Sequence, residues 1–279
     1  MTETSLREQI ERIATDAGAT AVAVALHDYT HATGWTLNAE RWFHAASTVK
    51  IPVLLAVFDA VEDGRLELQS RIHVRNRFLS VHDGRPYRLA AARDANSAVY
   101  EARGRMLRVE ELARHMITTS SNLATNLLVD VLGPEQVQAT LRRLELSGME
   151  FVRGVEDEAA WAAGVNNRVT ARGLAQALHA IEEGRAISEE ACRHMLDILH
   201  GQEFRGGIPA GLPADTRVAH KTGEMSTVAH DAGIVYVNGG APYVLVVLTE
   251  WEEGQGQRQA TIAAISKAVY EHVTGQADG

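Results

Sequence analysis

The run Ser47-Thr48-Val49-Lys50-Ile51-Pro52-Val53-Leu54-Leu55-Ala56-Val57-Phe58 decides how this chain is read. From 47 to 63, apolar residues fall nearly all round a helical period. A helix apolar on every side belongs in the middle of a domain. Pro52 is tolerated near the first turn, where its missing N–H has no helical partner to lose. A serine and a lysine therefore open a buried helix, three residues apart and on one face. A serine hydroxyl is a poor nucleophile at neutral pH and needs a nearby base. Burial disfavours the charged form of an amine, so Lys50 is a candidate for that base. The N–H groups at the helix start suit a developing oxyanion at Ser47. Taken alone, the four residues favour a plainer reading, a capping serine followed by an exposed lysine.

Toward the N-terminus, Ser5-Leu6-Arg7-Glu8 reads as a capping box. Leu6, Ile10, Ile13, Ala14 and Ala17 then recur at helical spacing, and Gly18 ends that helix. Residues 21–28 form a Val-rich run expected as a buried strand, and 34–40 its returning partner. Beyond the central helix, 72–108 is polar and basic without a period, a loop with short elements. Helical patterns resume at 109–118, 122–132, 134–146, 170–183 and 188–200, with Gly133-Pro134 a break between two of them. Residues 149–168 read as a loop long enough to be functional. Strands are expected at 216–221, 229–237 and 243–250, with Val237-Asn238-Gly239-Gly240 as a hairpin turn, before an amphipathic helix at 257–274. The expected fold class is α+β within a single catalytic domain. An antiparallel sheet from both chain ends, flanked by the terminal helices (1–45 and 203–279), stands beside an all-helical lobe (46–202). A cleft between such lobes is where a site is expected.

Of 279 residues, 46% are apolar and 23% charged, which suits a soluble globular protein. The net charge of -9 argues against nucleic acid and against anionic lipid surfaces. No apolar run is long enough to span a bilayer. The stretch from Met1 to Glu11 is polar and acidic, unlike a signal peptide, so a cytoplasmic location is expected. The single cysteine, Cys192, allows no internal disulfide and lies in a helical pattern. The pairs His194/His200 and His220/His230 lack metal-ligand spacing, and no phosphate-binding glycine loop is present. No metal and no cofactor are expected; the expected partner is a small-molecule substrate, and the expected state a monomer.

Two further polar motifs stand far from Lys50. Ser120-Ser121-Asn122 precedes a helix and reads either as a cap or as a site. In the second case Ser120 relays a proton to the leaving group and Asn122 holds the acyl side chain of a substrate. Lys221-Thr222-Gly223 reads either as a strand end with a surface lysine or as an edge strand that docks an extended substrate. There Lys221 favours negative charge, Thr222 binds a carboxylate, Gly223 lets the backbone come close, and the N–H of Glu224 is a second oxyanion donor.

In this order the three motifs resemble those of the penicillin-recognising serine hydrolases, most of all the class A β-lactamases. The likeness extends through Met116-Ile117-Thr118-Thr119 into Leu123-Ala124-Thr125-Asn126-Leu127-Leu128, and to His230-Asp231-Ala232-Gly233-Ile234. It runs from Ala21 to the last helix. It implies the serine β-lactamase fold and a Ser47 that becomes acylated, with Lys50, Ser120, Asn122 and Lys221 in the roles above. In that family a Glu on a long loop, with an Asn four residues on, holds the deacylating water. Glu156 falls at the family's distance from Ser120 and by resemblance takes that role. Four residues on stands Ala160, which cannot hold a water; Asn166 and Asn167 lie further along. Ser121 occupies a position where the family usually has Asp. Glu224 stands where small or hydroxylated residues are usual and is expected to repel an anionic substrate. The implied activity is hydrolysis of β-lactam amides. The alternatives are a cytoplasmic amidase, esterase or peptidase acting on a small metabolite through the same serine, and a binder that accepts an acyl group without releasing it.

Overall fold

A computed structural model describes residues 3–275. The chain divides into two compact units. The first takes in residues up to Thr48, Val169–His179 and Phe204 onward; the second takes in Val49–Arg168 and Ala180–Glu203. Val169–His179, which the sequence reading placed with the helices, thus belongs to the first unit.

The first unit is built on a five-stranded antiparallel sheet. Its strands are β1 (Ala21–Asp28), β2 (Thr33–Leu37), β3 (Arg217–Met225), β4 (Val228–Tyr236) and β5 (Tyr243–Glu250), in the order β3-β4-β5-β1-β2. The two chain ends meet where β1 pairs with β5, Val24 opposite Val247 and Leu26 opposite Leu245. Tyr243, Leu245 and Val247 pack with Leu6 and Ile10 of the Glu3–Asp16 helix and with Ile262, Ile265 and Val269 of the Arg258–Thr274 helix. The intervening Val244, Val246 and Leu248 are equally buried, which is why β5 reads as a continuous apolar run. The β4–β5 turn forms at Val237-Asn238-Gly239-Gly240, with Gly239 at φ +74° and the Gly240 N–H donating to Val237 O.

Several expected bounds change; the central helix starts at Lys50, not Ser47, and the one from Pro134 ends at Arg143. Ser5 is no cap, because the first helix already runs from Glu3 and puts Ser5 inside its first turn. β2 ends at Leu37, before Glu40. β3 does not stop at Lys221; its pairing with β4 continues to Met225 opposite Val228, so Lys221-Thr222-Gly223 lies within the ladder at the sheet edge.

The second unit is helical. The Lys50–Glu62 helix is its axis, with Lys50 through Ala60 all buried. It packs against helices Val109–Thr118, Asn122–Leu132, Pro134–Arg143 and Glu189–His200. Buried Asp59 on this axis accepts from Thr140 Oγ1 at 2.5 Å and is paired with Arg143, which ties two helices together. Cys192 is buried. The 149–168 stretch contains one short helix, Glu158–Ala162. No helix among the described residues is long and apolar enough to cross a membrane.

His230 on β4 is fully buried in the first unit. Its Nε2–H donates to His44 O at 2.9 Å and its Nδ1 accepts from Thr249 N at 3.2 Å, a pattern only the neutral ring satisfies. Burial pushes its pKa down to about 4. The unfolded chain, with an ordinary histidine near 6.5, therefore binds the extra proton first. Stability from this residue is present above pH 6.5 and is lost as pH falls toward 4, on the order of 3 kcal/mol in all. Urea unfolding at pH 7, 5.5 and 4 should show this loss, and His230→Gln, which cannot titrate, should flatten it. An equal slope in the variant would assign the acid sensitivity elsewhere.

Candidate active site

In the first unit, Ser47 is half-buried in a 3-10 turn, Ala46–Val49, that leads into the central helix. Ala46 is left-handed at φ +43°, a conformation disfavoured for alanine, and its N–H donates to His44 Nδ1 at 3.0 Å. Thr48 Oγ1 donates to Ala45 O at 2.6 Å. His230 holds His44 in turn, so a buried imidazole of the sheet fixes the turn that carries Ser47.

The edge strand β3 lies against this turn. A Cβ on Gly223 would come 3.1 Å from Ser47 N and 3.0 Å from Thr48 N. A side chain there would have to push the turn back by a few tenths of an ångström, so glycine suits the close approach of the two backbones. Lys221 is fully buried, and its Nζ donates to Thr222 O at 2.7 Å. Glu224 accepts from Gln259 Nε2 at 2.9 Å and lies 3.6 Å from the Arg258 guanidinium. Arg258 also donates to Met225 O and Ser226 O. The negative charge expected to repel anions is thus already matched by a cation.

In the second unit, Lys50 is fully buried. Its Nζ lies 2.7 Å from Ser120 O, 3.0 Å from Ser120 Oγ and 2.8 Å from Asn122 Oδ1. Burial lowers its pKa to about 7, against the pull of Asp94 and then Glu156, which favour the charged form. An amine poised there exchanges protons at neutral pH. Asn122 Nδ2 donates to Glu156 Oε1 at 2.8 Å, so one amide joins the lysine to the carboxylate. Capping and chemistry are divided between neighbours. Ser121 is the N-cap of Asn122–Leu132, accepting from Ala124 N, while Ser120 and Asn122 on either side reach Lys50.

Ser120 and Glu156 share a left-handed backbone, both at φ +57°. For non-glycine residues this costs on the order of 1–2 kcal/mol and collects at functional positions. The loop bearing Glu156 is held by Asn126, whose Oδ1 accepts from Val155 N at 2.8 Å and whose Nδ2 donates to Val155 O at 2.9 Å. Asn167 accepts from the N–H groups of Val152 and Arg153 and donates to Arg153 O, and Asn166 accepts from the Arg153 guanidinium. Both asparagines brace the loop. Ala160 is buried. His220 and His230 are core residues, His220 Nδ1 lying 2.9 Å from buried Asp231 Oδ1. Among the described residues, no three His, Cys, Asp or Glu are grouped to hold a metal ion.

A family model described as the Beta-lactamase enzyme family matches residues 5–273. The chain belongs to the β-lactamase enzyme family. It is 26% identical to the extended-spectrum β-lactamase PER-1 of Pseudomonas aeruginosa, over 95% of this chain and 86% of that protein. A β-lactamase structure from Sphaerobacter thermophilus superposes with a TM-score of 0.81 at 26% identity, covering 99% of this chain and all of that one. PBP-A superposes at 0.84 and 26% identity, covering 98% and 97%. These likenesses bear out the expected serine β-lactamase fold and an active-site serine hydrolase.

Sequence reading of this β-lactamase-family enzyme missed Asp94, Asn126 and Arg258. Asn126 alone left a local signal, standing one helical turn after Asn122. Because Gly223 packs on the backbone of Ser47, Gly223→Ala should slow β-lactam turnover at least ~10-fold by shifting the Ala46–Val49 turn, at a stability cost of about 1–3 kcal/mol. Initial rates on a chromogenic cephalosporin, with a urea titration in parallel, check both. An unaltered rate would mean the turn tolerates the methyl.

Proposed function

We propose that the protein hydrolyses β-lactam amides in two steps through an ester on Ser47. The observation carrying this reading is the continuous set of hydrogen bonds from Ser120 to the Lys50 amine, through Asn122, to Glu156. Neutral Lys50 takes the proton of Ser47, three residues before it, as Oγ attacks the ring carbonyl carbon. The C–N bond breaks, and the ring nitrogen receives its proton by way of Ser120. The N–H groups of Ser47 and Glu224 hold the oxyanion. Lys221 and Thr222 receive the substrate's carboxylate. Glu156 then takes a proton from a water that attacks the ester; the bond to the Ser47 oxygen breaks, and that proton returns to the departing oxygen, leaving Glu156 a carboxylate and Lys50 neutral as at the start. Ala160 offers this water nothing; Asn122, already bonded to Glu156, is the polar side chain that steadies it.

A second reading keeps Ser47 as nucleophile but makes the substrate a neutral metabolite amide or ester. The Glu224 carboxylate beside the third motif favours it: Arg258 offsets that charge but leaves no net cation there to draw an anion. A p-nitrophenyl ester screen beside a chromogenic cephalosporin separates the two. Ester turnover without β-lactam turnover selects the second reading.

On a chromogenic cephalosporin, Ser47→Ala should abolish turnover, and Lys50→Ala should lower kcat/KM on the order of 10²-fold or more. Glu156→Gln should accumulate an acyl-enzyme visible by intact mass. An unchanged release rate in that variant would assign the water to another group, and sustained wild-type turnover excludes a mere acyl acceptor.

The pH profile has a defined sign. Lys50 works deprotonated, so kcat/KM should rise with pH through an acid limb near 7 and fall about tenfold per unit well below it. Glu156 and Asp94 act on the same amine, so this limb belongs to the coupled group. A profile flat from pH 5 to 8 would remove Lys50 as the base.

A further inference from the structure

Asp94 lies in the aperiodic stretch before the first of the middle helices, between the Ala91–Arg93 turn and the short Ser97–Glu101 helix. Its Oδ2 accepts from Ser121 Oγ at 3.0 Å and from Leu123 N at 2.9 Å. Its Oδ1 accepts from Asn96 N at 3.2 Å. Asn96 in turn donates to Thr119 Oγ1 at 2.7 Å and lies 2.8 Å from His115 Nδ1. The carboxylate therefore sits at the N-terminus of Asn122–Leu132, where free N–H groups and the helix dipole favour negative charge. Ser121 passes that charge inward, its hydroxyl accepting from Ala124 N while donating to Asp94.

Ser121 is the position where the resembling family usually carries Asp. This chain carries no acid there, and the structure shows an acid supplied at the same helix end from 27 residues upstream. We propose that Asp94 is a positioning residue of the active site, a carboxylate relocated from the second motif that holds Ser120 and Asn122 against Lys50. It touches neither the substrate nor the reacting atoms; it acts through Ser121. Ser121 lies between the two residues that meet the amine, and Ser120 needs its left-handed backbone held. Removing the charge would leave the Ser121 hydroxyl and the Leu123 N–H with at best a neutral, weaker acceptor.

The charge has a second effect. Of the two carboxylates that favour the protonated Lys50, Asp94 is the stronger and Glu156 the weaker. Around Asp94 stand the buried Tyr100 ring on its own segment and His115 on the Val109–Thr118 helix, which also faces Glu111, Arg114 and Glu203. Loss of the Asp94 charge should drive Lys50 still lower.

The proposal rests on Lys50 acting as the base, and the test separates the two ideas. The chain has three lysines, Lys50, Lys221 and Lys267. In protein labelled with 13C at lysine Cε, Lys50 can be followed directly, without any substrate. Asp94→Asn, Ser121→Asp and the double variant Asp94→Asn/Ser121→Asp are compared with wild type, folding being checked by thermal melts. In Asp94→Asn the Lys50 midpoint should fall by about half a pH unit or more. kcat/KM on a chromogenic cephalosporin should drop roughly 10- to 100-fold, its acid limb moving down with the midpoint. The double variant, which returns the acid to the second motif, should recover most of the rate and restore the midpoint. An unmoved Lys50 midpoint in Asp94→Asn, or a double variant no better than the single one, overturns the proposal. If Asp94→Asn does not fold, Asp94→Glu, which keeps the charge but not the reach, is measured instead; an unchanged rate there overturns it equally. Wild type that neither acylates nor turns over a β-lactam defeats the proposed function, while the Lys50 titration still decides the placement of Asp94.

Discussion

An amine carried out of water must either find acceptors for all its N–H groups or give up its proton. Lys50 is built to do both. Ser120 O, Ser120 Oγ and Asn122 Oδ1 are among the acceptors that its N–H groups reach. Burial meanwhile brings the proton within reach of removal near pH 7. A lysine at the exposed start of an ordinary helix would keep its proton to above pH 10 and could not act as a base at neutral pH. The apolar run Ile51–Phe58 is what denies it solvent. The residues that fill the core and the residue expected to do the chemistry thus depend on one another. A polar substitution that let water into the first turn of this helix would weaken both.

What was legible in the sequence was what is local. Ser47 and Lys50 stand three apart, Ser120 and Asn122 flank one residue, and Lys221-Thr222-Gly223 is contiguous; such spacings survive without knowledge of the fold. The all-round apolar helix and the Val-rich strands were legible for the same reason. Errors arose where a local pattern had two endings. Lys221 looked like a strand end because three polar or small residues interrupt an apolar run, whereas pairing with β4 carries the strand on to Met225. Ser5 looked like a cap because Glu8 follows at the right distance, although the helix had already begun. What could not be read at all was the support that arrives from far along the chain. His230 reaches His44 across 186 residues, and Asp94 reaches Ser121 across 27 from a stretch without a period. Neither leaves a repeat, a spacing or a composition signal.

The strained positions explain why such support is needed. Ser120, Glu156 and Ala46 all occupy the left-handed region although none is glycine. Each has a brace nearby. Ser121 is tied to Asp94 and to the helix it caps, Asn126 grips Val155 at both its N–H and its carbonyl, and His44 takes the N–H of Ala46. At Ser120 and Glu156, glycine would relax the backbone but remove the side chain that meets Lys50 or Asn122.

The Asn122–Leu132 helix shows how one rigid element sets several distances at once. Asn122 and Asn126 stand one turn apart on the same face, the first meeting Lys50 and Glu156, the second meeting the residue before Glu156. Asn122 can satisfy both neighbours in only one orientation, its oxygen toward the amine and its nitrogen toward the carboxylate. An aspartate there would keep the bond to Lys50 but set a second negative charge against Glu156. An alanine would leave the amine and the carboxylate to find each other without a bridge. The amide is the functional group that separates an amine from a carboxylate by one side chain while bonding to both, and the helix fixes where that side chain stands.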